Sequence, residues 1–206
     1  ACKDFTANGK ILYDFCSIKN TILDSEHGGT GTELSDIMES MEKQQFVNPN
    51  TLKQHFWNMF VVDAFLGNFD RHNGNWGFLF DSATQNAEIA PVFDCGSCLL
   101  PQADDKVMER VLQDEDELNA RIFQFPTSAV KDQGRKIHYY DFLMSKKSED
   151  CNKALMRIVP RIHMDEIQNF LQEVPYLSDL QHTFYQTYIQ ARWEKLLMPA
   201  YEQLIG

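Results

Sequence analysis

Asp70, Asn75 and Asp94 are the residues whose types and spacing could do chemistry. Phosphoryl transfer needs one carboxylate to orient an attacking hydroxyl and an oxygen-rich pair to hold Mg²⁺ against phosphates. Asp70 and Asn75 stand five apart in the loop Leu66-Gly67-Asn68-Phe69-Asp70-Arg71-His72-Asn73-Gly74-Asn75-Trp76. A Gly/Asn-rich loop lets both point into one cleft, whereas a helix would turn them to different faces. Two short apolar runs, Trp76–Phe80 and Glu88–Val92, flank the polar stretch Asp81–Asn86. They read as a hairpin that returns Asp94 to the loop it left.

Plainer readings compete at each position. A lone Asp-x4-Asn loop is a common solvated turn, and it is the ordered pairing with Asp94 across a hairpin that favours a site. His72 alone reads equally as a hydrogen-bonded structural histidine or as a phosphate contact, and Arg71 as an exposed charge. Cys95-Gly96-Ser97-Cys98 has the form of a redox pair or half a zinc site, but no second pair or spaced histidines accompany it. The stretch Gly28-Gly29-Thr30-Gly31 lacks the Gly-Lys-Ser/Thr ending of a phosphate loop. Thr30 and Glu33 read instead as a capping box opening a helix with Leu34, Ile37, Met38 and Met41 on one face.

The elements that position these residues follow from pattern. Residues 1–18 read as a hairpin about Asn8-Gly9, because both turn residues tolerate positive φ. Asn48-Pro49-Asn50 caps a helix over about Thr51–Leu66, apolar nearly all round, which belongs in a domain centre and feeds directly into the Asp70 loop. Ser97–Lys106 reads as an irregular loop, and Asp114–Glu117 as the acidic first turn of a short helix. Tyr139–Met144, Ser148–Ile158 and Met164–Val174 read as helices, and Ser178 caps a last, longest one that Pro199 should kink. No repeat or low-complexity linker appears, which predicts one compact domain over residues 1–206.

Asp70-Arg71-His72-x-x-Asn75, followed after the hairpin by Asp94-Cys95-Gly96, resembles the Asp-Arg-His-x-x-Asn and Asp-Phe-Gly elements of the phosphatidylinositol-3-kinase-like branch of kinases. The flanking Leu66-Gly67-Asn68 and Ile89-Ala90-Pro91-Val92-Phe93 are similar to the C-terminal lobe of HipA-like serine/threonine kinases. That resemblance implies Asp70 as catalytic base, Asn75 and Asp94 as Mg²⁺ ligands, and His72, Asn75 and Asp94 at the ATP phosphates. It implies a fold that is mostly α with small β-hairpins at the cleft side of a helical bundle, a hinge within residues 1–18, and a protein hydroxyl as acceptor. The family includes bacterial toxins paired with DNA-binding antitoxins, so an antitoxin partner is part of the expectation. Cys95 departs from the family's aromatic. The glycine-rich phosphate cover and strand-borne Lys of a kinase are not found before Asp70, so the N-terminal lobe is expected to be absent and residues 1–206 alone inactive. A lipid kinase, an inert kinase-like binding module and a metal-dependent phosphohydrolase are the alternatives.

Composition agrees with that class. The 206 residues are 43% hydrophobic with net charge −11, enough for a sizeable core and unsuited to a nucleic-acid surface or an anionic membrane. Five cysteines without a signal-like segment imply reduced thiols and a cytoplasmic setting. No apolar run approaches the ~18 residues of a membrane helix.

Overall fold

The computed structural model describes residues 4–6, 9–22 and 28–206. The chain clusters into two compact units. The sequence hides the division because the chain passes between the units within a helix and in loops that carry no linker composition.

The first unit comprises the described residues up to Phe56, with Asp70–Cys95 and Ala129–Lys136. Its sheet is antiparallel: strand β1 (Lys10–Asp14) pairs with β2 (Gly77–Asp81), which pairs with β3 (Asn86–Ile89). Tyr13 stands opposite Phe78 and Leu12 opposite Leu79, so one residue of slip would exchange the two faces of the sheet. A Cβ on Gly77 would collide with the Tyr13 carbonyl oxygen, so glycine is what lets β2 approach β1. The expected β2–β3 hairpin forms, although β3 ends at Ile89 and leaves Val92 outside it.

The hairpin expected over residues 1–18 is corrected. Residues 1–3 and Asn8 lie outside the described residues, and β1 pairs with β2, more than sixty positions on in the sequence. Its strand stops at Asp14, and Phe15–Ile22 is helix α1. Asp14 Oδ1 accepts from the Ser17 amide at 2.6 Å, a capping bond that favours helix over continued strand. Helix α2 (Leu34–Lys43) buries Ile37 and Met41 as its pattern predicts. The Thr30/Glu33 capping box is not formed. Glu33 is itself the N-cap residue without a side-chain bond to α2, and its carboxylate accepts from the Gly134 amide at 3.1 Å. That glycine sits in a ribbon of β4 (Lys131–Asp132) and β5 (Arg135–Lys136), where Lys131 N–H donates to the Thr32 carbonyl at 2.9 Å. Helix α3 (Pro49–Leu66) begins as expected, with Asn48 Oδ1 accepting from the Asn50 and Thr51 amides at 2.9 and 3.2 Å.

The second unit holds the rest of α3 and the C-terminal helices. Met59, Phe60, Val61, Ala64 and Phe65 are all buried, which bears out an α3 apolar on every side. Its end is closed by Gly67 in the left-handed region, φ 67°, with Asn68 N–H donating to the Asp63 carbonyl at 2.9 Å. Arg192 is wholly buried, and its Nε donates to the carbonyls of Ala64 and Phe65, both at 3.0 Å. A cation over the last carbonyls of a helix is stabilised by the macrodipole. Helix α4 (Asp105–Gln113), overlapping the expected loop Ser97–Lys106, is capped by Asp104, and α5 (Glu115–Phe123) by Asp114. Helices α6 (Tyr139–Ser145), α7 (Glu149–Ile158) and α8 (Met164–Glu173) follow their sequence pattern. Helix α9 (Asp179–Arg192) starts in a full Ser178/Gln181 capping box. Pro199 does not bend α9 at its own position. The irregularity is a π-helical turn at Trp193–Leu197 ahead of α10 (Met198–Ile205). A proline leaves the carbonyl four residues before it without an amide, and the widened turn accommodates that. Among the described residues no helix is long and apolar enough to cross a membrane.

Candidate active site

The Asp70–Asn75 loop and the Asp94 segment belong to the first unit, where the loop is built from backbone bonds. His72 N–H donates to the Asp70 carbonyl at 2.8 Å and Asn75 N–H to the His72 carbonyl at 3.0 Å, two tight turns that hold Asp70 and Asn75 together. Asn75 Nδ2 also donates to the Asp70 carbonyl at 2.8 Å. That bond fixes the amide orientation and turns Oδ1 into the atom offered to a cation. Asn73 Nδ2 donates to the Gly29 and Gly31 carbonyls, each at 2.8 Å, so the glycine-rich stretch serves as an anchor for this loop. Trp76 stacks on Phe15 at 4.0 Å between ring centroids, and its carbonyl accepts from the Phe15 amide at 2.8 Å.

Arg71 is the residue that sequence reasoning missed. Read there as an exposed charge, it is 4% exposed and bonded to both halves of the site. Its Nη1 donates to the Asn75 carbonyl at 2.7 Å, to the Phe93 carbonyl, and to the Asp94 carbonyl at 3.3 Å, while Nη2 approaches Cys95 Sγ at 3.5 Å. A planar guanidinium can bridge several carbonyl oxygens at once, which an ammonium does poorly. The loop and the Asp94 segment therefore share one cation. The signal available in sequence was only Arg71's place between Asp70 and Asn75.

Asp70, His72 and Asp94 are exposed, and Asn75 is buried. Asp94 lies in the left-handed region, φ 52°, a conformation that Asp adopts more readily than most residues. His72 Nδ1 accepts from the Gly74 amide at 3.0 Å, which leaves Nε2 as the protonated nitrogen of the neutral ring. His55 in α3 is depressed below the ordinary histidine value, first by burial and then by the Arg71 charge.

These donors fit Mg²⁺. An amide oxygen and a carboxylate are hard ligands, and Mg²⁺ takes one or two such groups and completes its octahedron with phosphates and water. Among the described residues no three His, Cys, Asp or Glu side chains group into a metal site of their own, so the nucleotide would have to share the cation.

No protein-family model matches the chain. Over all 206 residues it is 48% identical to serine/threonine-protein kinase CtkA of Helicobacter pylori strain J99, and it spans 63% of that protein's length. It also matches the crystal structure of a Helicobacter pylori proinflammatory kinase CtkA, with a TM-score of 0.97 at 48% identity, over 99% of this chain and 74% of that one. By identity, coverage and fold together, the chain belongs to the family of serine/threonine-protein kinase CtkA.

Proposed function

We propose that residues 1–206 carry the catalytic loop of an ATP- and Mg²⁺-dependent kinase that phosphorylates Ser or Thr hydroxyls of a protein. The observation that carries this reading is Arg71, whose guanidinium ties the Asp70–Asn75 loop to the backbone of Phe93 and Asp94. Asp70 orients the acceptor hydroxyl and takes its proton, while Asn75 Oδ1 and the Asp94 carboxylate would hold a Mg²⁺, which would neutralise charge on the phosphates. The oxygen–phosphorus bond to the acceptor forms as the bond between the β–γ bridging oxygen and the γ-phosphorus breaks, and ADP leaves with that electron pair. His72 lies beside the phosphates as a donor through Nε2. The HipA-like type is supported by the motif text around Asp70 and Asp94.

In the full-length protein, Asp70→Asn is expected to lower transfer of γ-phosphate to a protein hydroxyl by about 10²–10⁴-fold, the range for loss of a general base. Nucleotide binding should persist. Near-normal turnover of that variant would remove Asp70 from the mechanism, and label released only as free phosphate would identify a hydrolase.

A further inference from the structure

Lys19 lies in helix α1 of the first unit and has no exposed surface. Taking an ammonium out of water is costly unless oxygen partners replace the solvent. Its Nζ donates to the Gly31 carbonyl at 3.0 Å and lies 3.8 Å from Asp36 Oδ2. The Asp36 side chain keeps 35% of its surface in solvent, so the bond to the carbonyl is the closer and the better shielded of the two.

That carbonyl is shared. Asn73 Nδ2 donates to the same oxygen at 2.8 Å and to the Gly29 carbonyl at 2.8 Å. A carbonyl oxygen has two lone pairs and can accept from both donors at once. Asn73 is 2% exposed and stands in the loop between Asp70 and Asn75.

Helix α1 grips the same loop by its backbone. The Cys16 amide donates to the Asn73 carbonyl at 2.9 Å, and the Phe15 amide to the Trp76 carbonyl at 2.8 Å. Asn73 is therefore held twice, at its own carbonyl by α1 and at its side chain through the carbonyl that Lys19 also holds. One attachment would fix a point; two fix the direction in which the loop presents its neighbours. A side chain needed for packing alone would be apolar, because a methionine of similar length fills that space without a buried charge.

We infer that Lys19 is a positioning residue, acting through Gly31 and Asn73 on the loop that carries Asp70 and Asn75. The inference rests on the kinase reading above.

The test uses the full-length protein, with γ-phosphate transfer to a protein substrate read beside the Asp70→Asn control. Lys19→Met strands neither partner, since Gly31 keeps Asn73 and Asp36 keeps water. It should lower kcat on the order of 10²-fold, the cost of about 1 Å of misplacement, with Tm and KM for ATP nearly unchanged. Asn73→Ala, which leaves Lys19 on the Gly31 carbonyl, should also lower kcat, and it carries the test alone where Lys19→Met does not fold. The double variant should lose no more than the worse single variant, because residues that act as a unit are not additive. Unchanged kcat in either single variant, or losses that multiply in the double variant, overturns the inference. A kcat that falls only in step with the folded fraction assigns both residues to stability and overturns it too. Those outcomes leave the kinase reading standing, whereas wild-type labelling no greater than that of Asp70→Asn overturns both.

Discussion

Arg71 Nη1 donates to the Asn75 carbonyl at 2.7 Å and also to the carbonyl of Phe93, the residue before Asp94. A buried cation with carbonyl partners in two segments joins them in a way that no single hydrogen bond would. Replacing it by lysine keeps the charge but not the fork, and hydrogen bonds to charged groups contribute about 1.5–3 kcal/mol each. Arg71→Lys is therefore expected to destabilise the protein by about 2–4 kcal/mol and to lower kcat more than it raises KM for ATP. Thermal unfolding and steady-state kinetics of the same preparation check this. A variant with unchanged Tm and kcat would show that Arg71 does not hold the site together.

Asn75 and Asp94 should separate in their metal dependence from Asp70. Asn75→Ala removes a proposed oxygen ligand and also the 2.8 Å bond to the Asp70 carbonyl, whereas Asp94→Ala removes only a proposed ligand. Both variants should need more Mg²⁺ for half-maximal nucleotide binding, by roughly 10–100-fold, the scale seen when groups around a metal are lost. Excess Mg²⁺ should restore binding to Asp94→Ala more fully than turnover to Asn75→Ala. Binding curves in which added Mg²⁺ or Mn²⁺ shifts neither variant would withdraw the ligand assignment.

What the sequence made legible was local. The caps at Asn48 and Ser178 were each marked by a short polar side chain before a helical run, and each accepts a first-turn amide; Asp114 and Ser148, read as first helical residues, stand one position earlier as N-caps. The β2–β3 hairpin was legible because apolar runs flank a polar turn. Arg71 was not, since its partners are backbone oxygens, one of them 22 positions away, and carbonyls carry no residue-type signature. Phe15–Ile18 was misread because an apolar run of that length suits strand and helix alike, and the Asp14 cap decides it. Thr30-x-x-Glu33 had the right letters, but Glu33 is drawn to an amide 101 positions away. The roles of Asp70, Asn75 and Asp94 were read from spacing and resemblance, and the variants above are their test.

His55 gives the protein an acid-side stability limit. Burial and the Arg71 charge depress its folded value below the ordinary 6.5, so the unfolded chain binds a proton that the folded chain refuses. The unfolded state then holds more protons as pH falls, and stability is lost on acidification below about pH 6.5. Its contribution is fully present above that value. His55→Gln should flatten the slope of Tm against pH between about pH 5 and 7, and an unchanged slope would assign the acid loss to other groups.

Residues 1–206 alone are expected to transfer no phosphoryl group, and the lysines say why. A kinase needs a cation on the ATP phosphates from a strand-borne lysine, together with a glycine-rich cover. Among the described residues before Asp70, each lysine has a carboxylate partner. Lys10 pairs with Glu88, Lys43 with Glu39 and Lys53 with Glu42, while Lys19 is buried with its Nζ 3.8 Å from Asp36 and donating to the Gly31 carbonyl at 3.0 Å. None follows a glycine loop, so the phosphates would meet Asp70, Asn75 and Asp94 without the opposing charge. The chain spans 63% of CtkA. Extending it upstream by on the order of 100 residues, a small domain's length, tests whether such groups lie there. The measurement is labelling of a protein substrate from γ-labelled ATP by residues 1–206 and by the extended chain, each beside its Asp70→Asn control. Labelling should appear only in the extended chain and vanish in its control. Asp70-dependent labelling by residues 1–206 would mean that one of these paired lysines leaves its carboxylate for the nucleotide, with Lys10, on strand β1, the first to substitute.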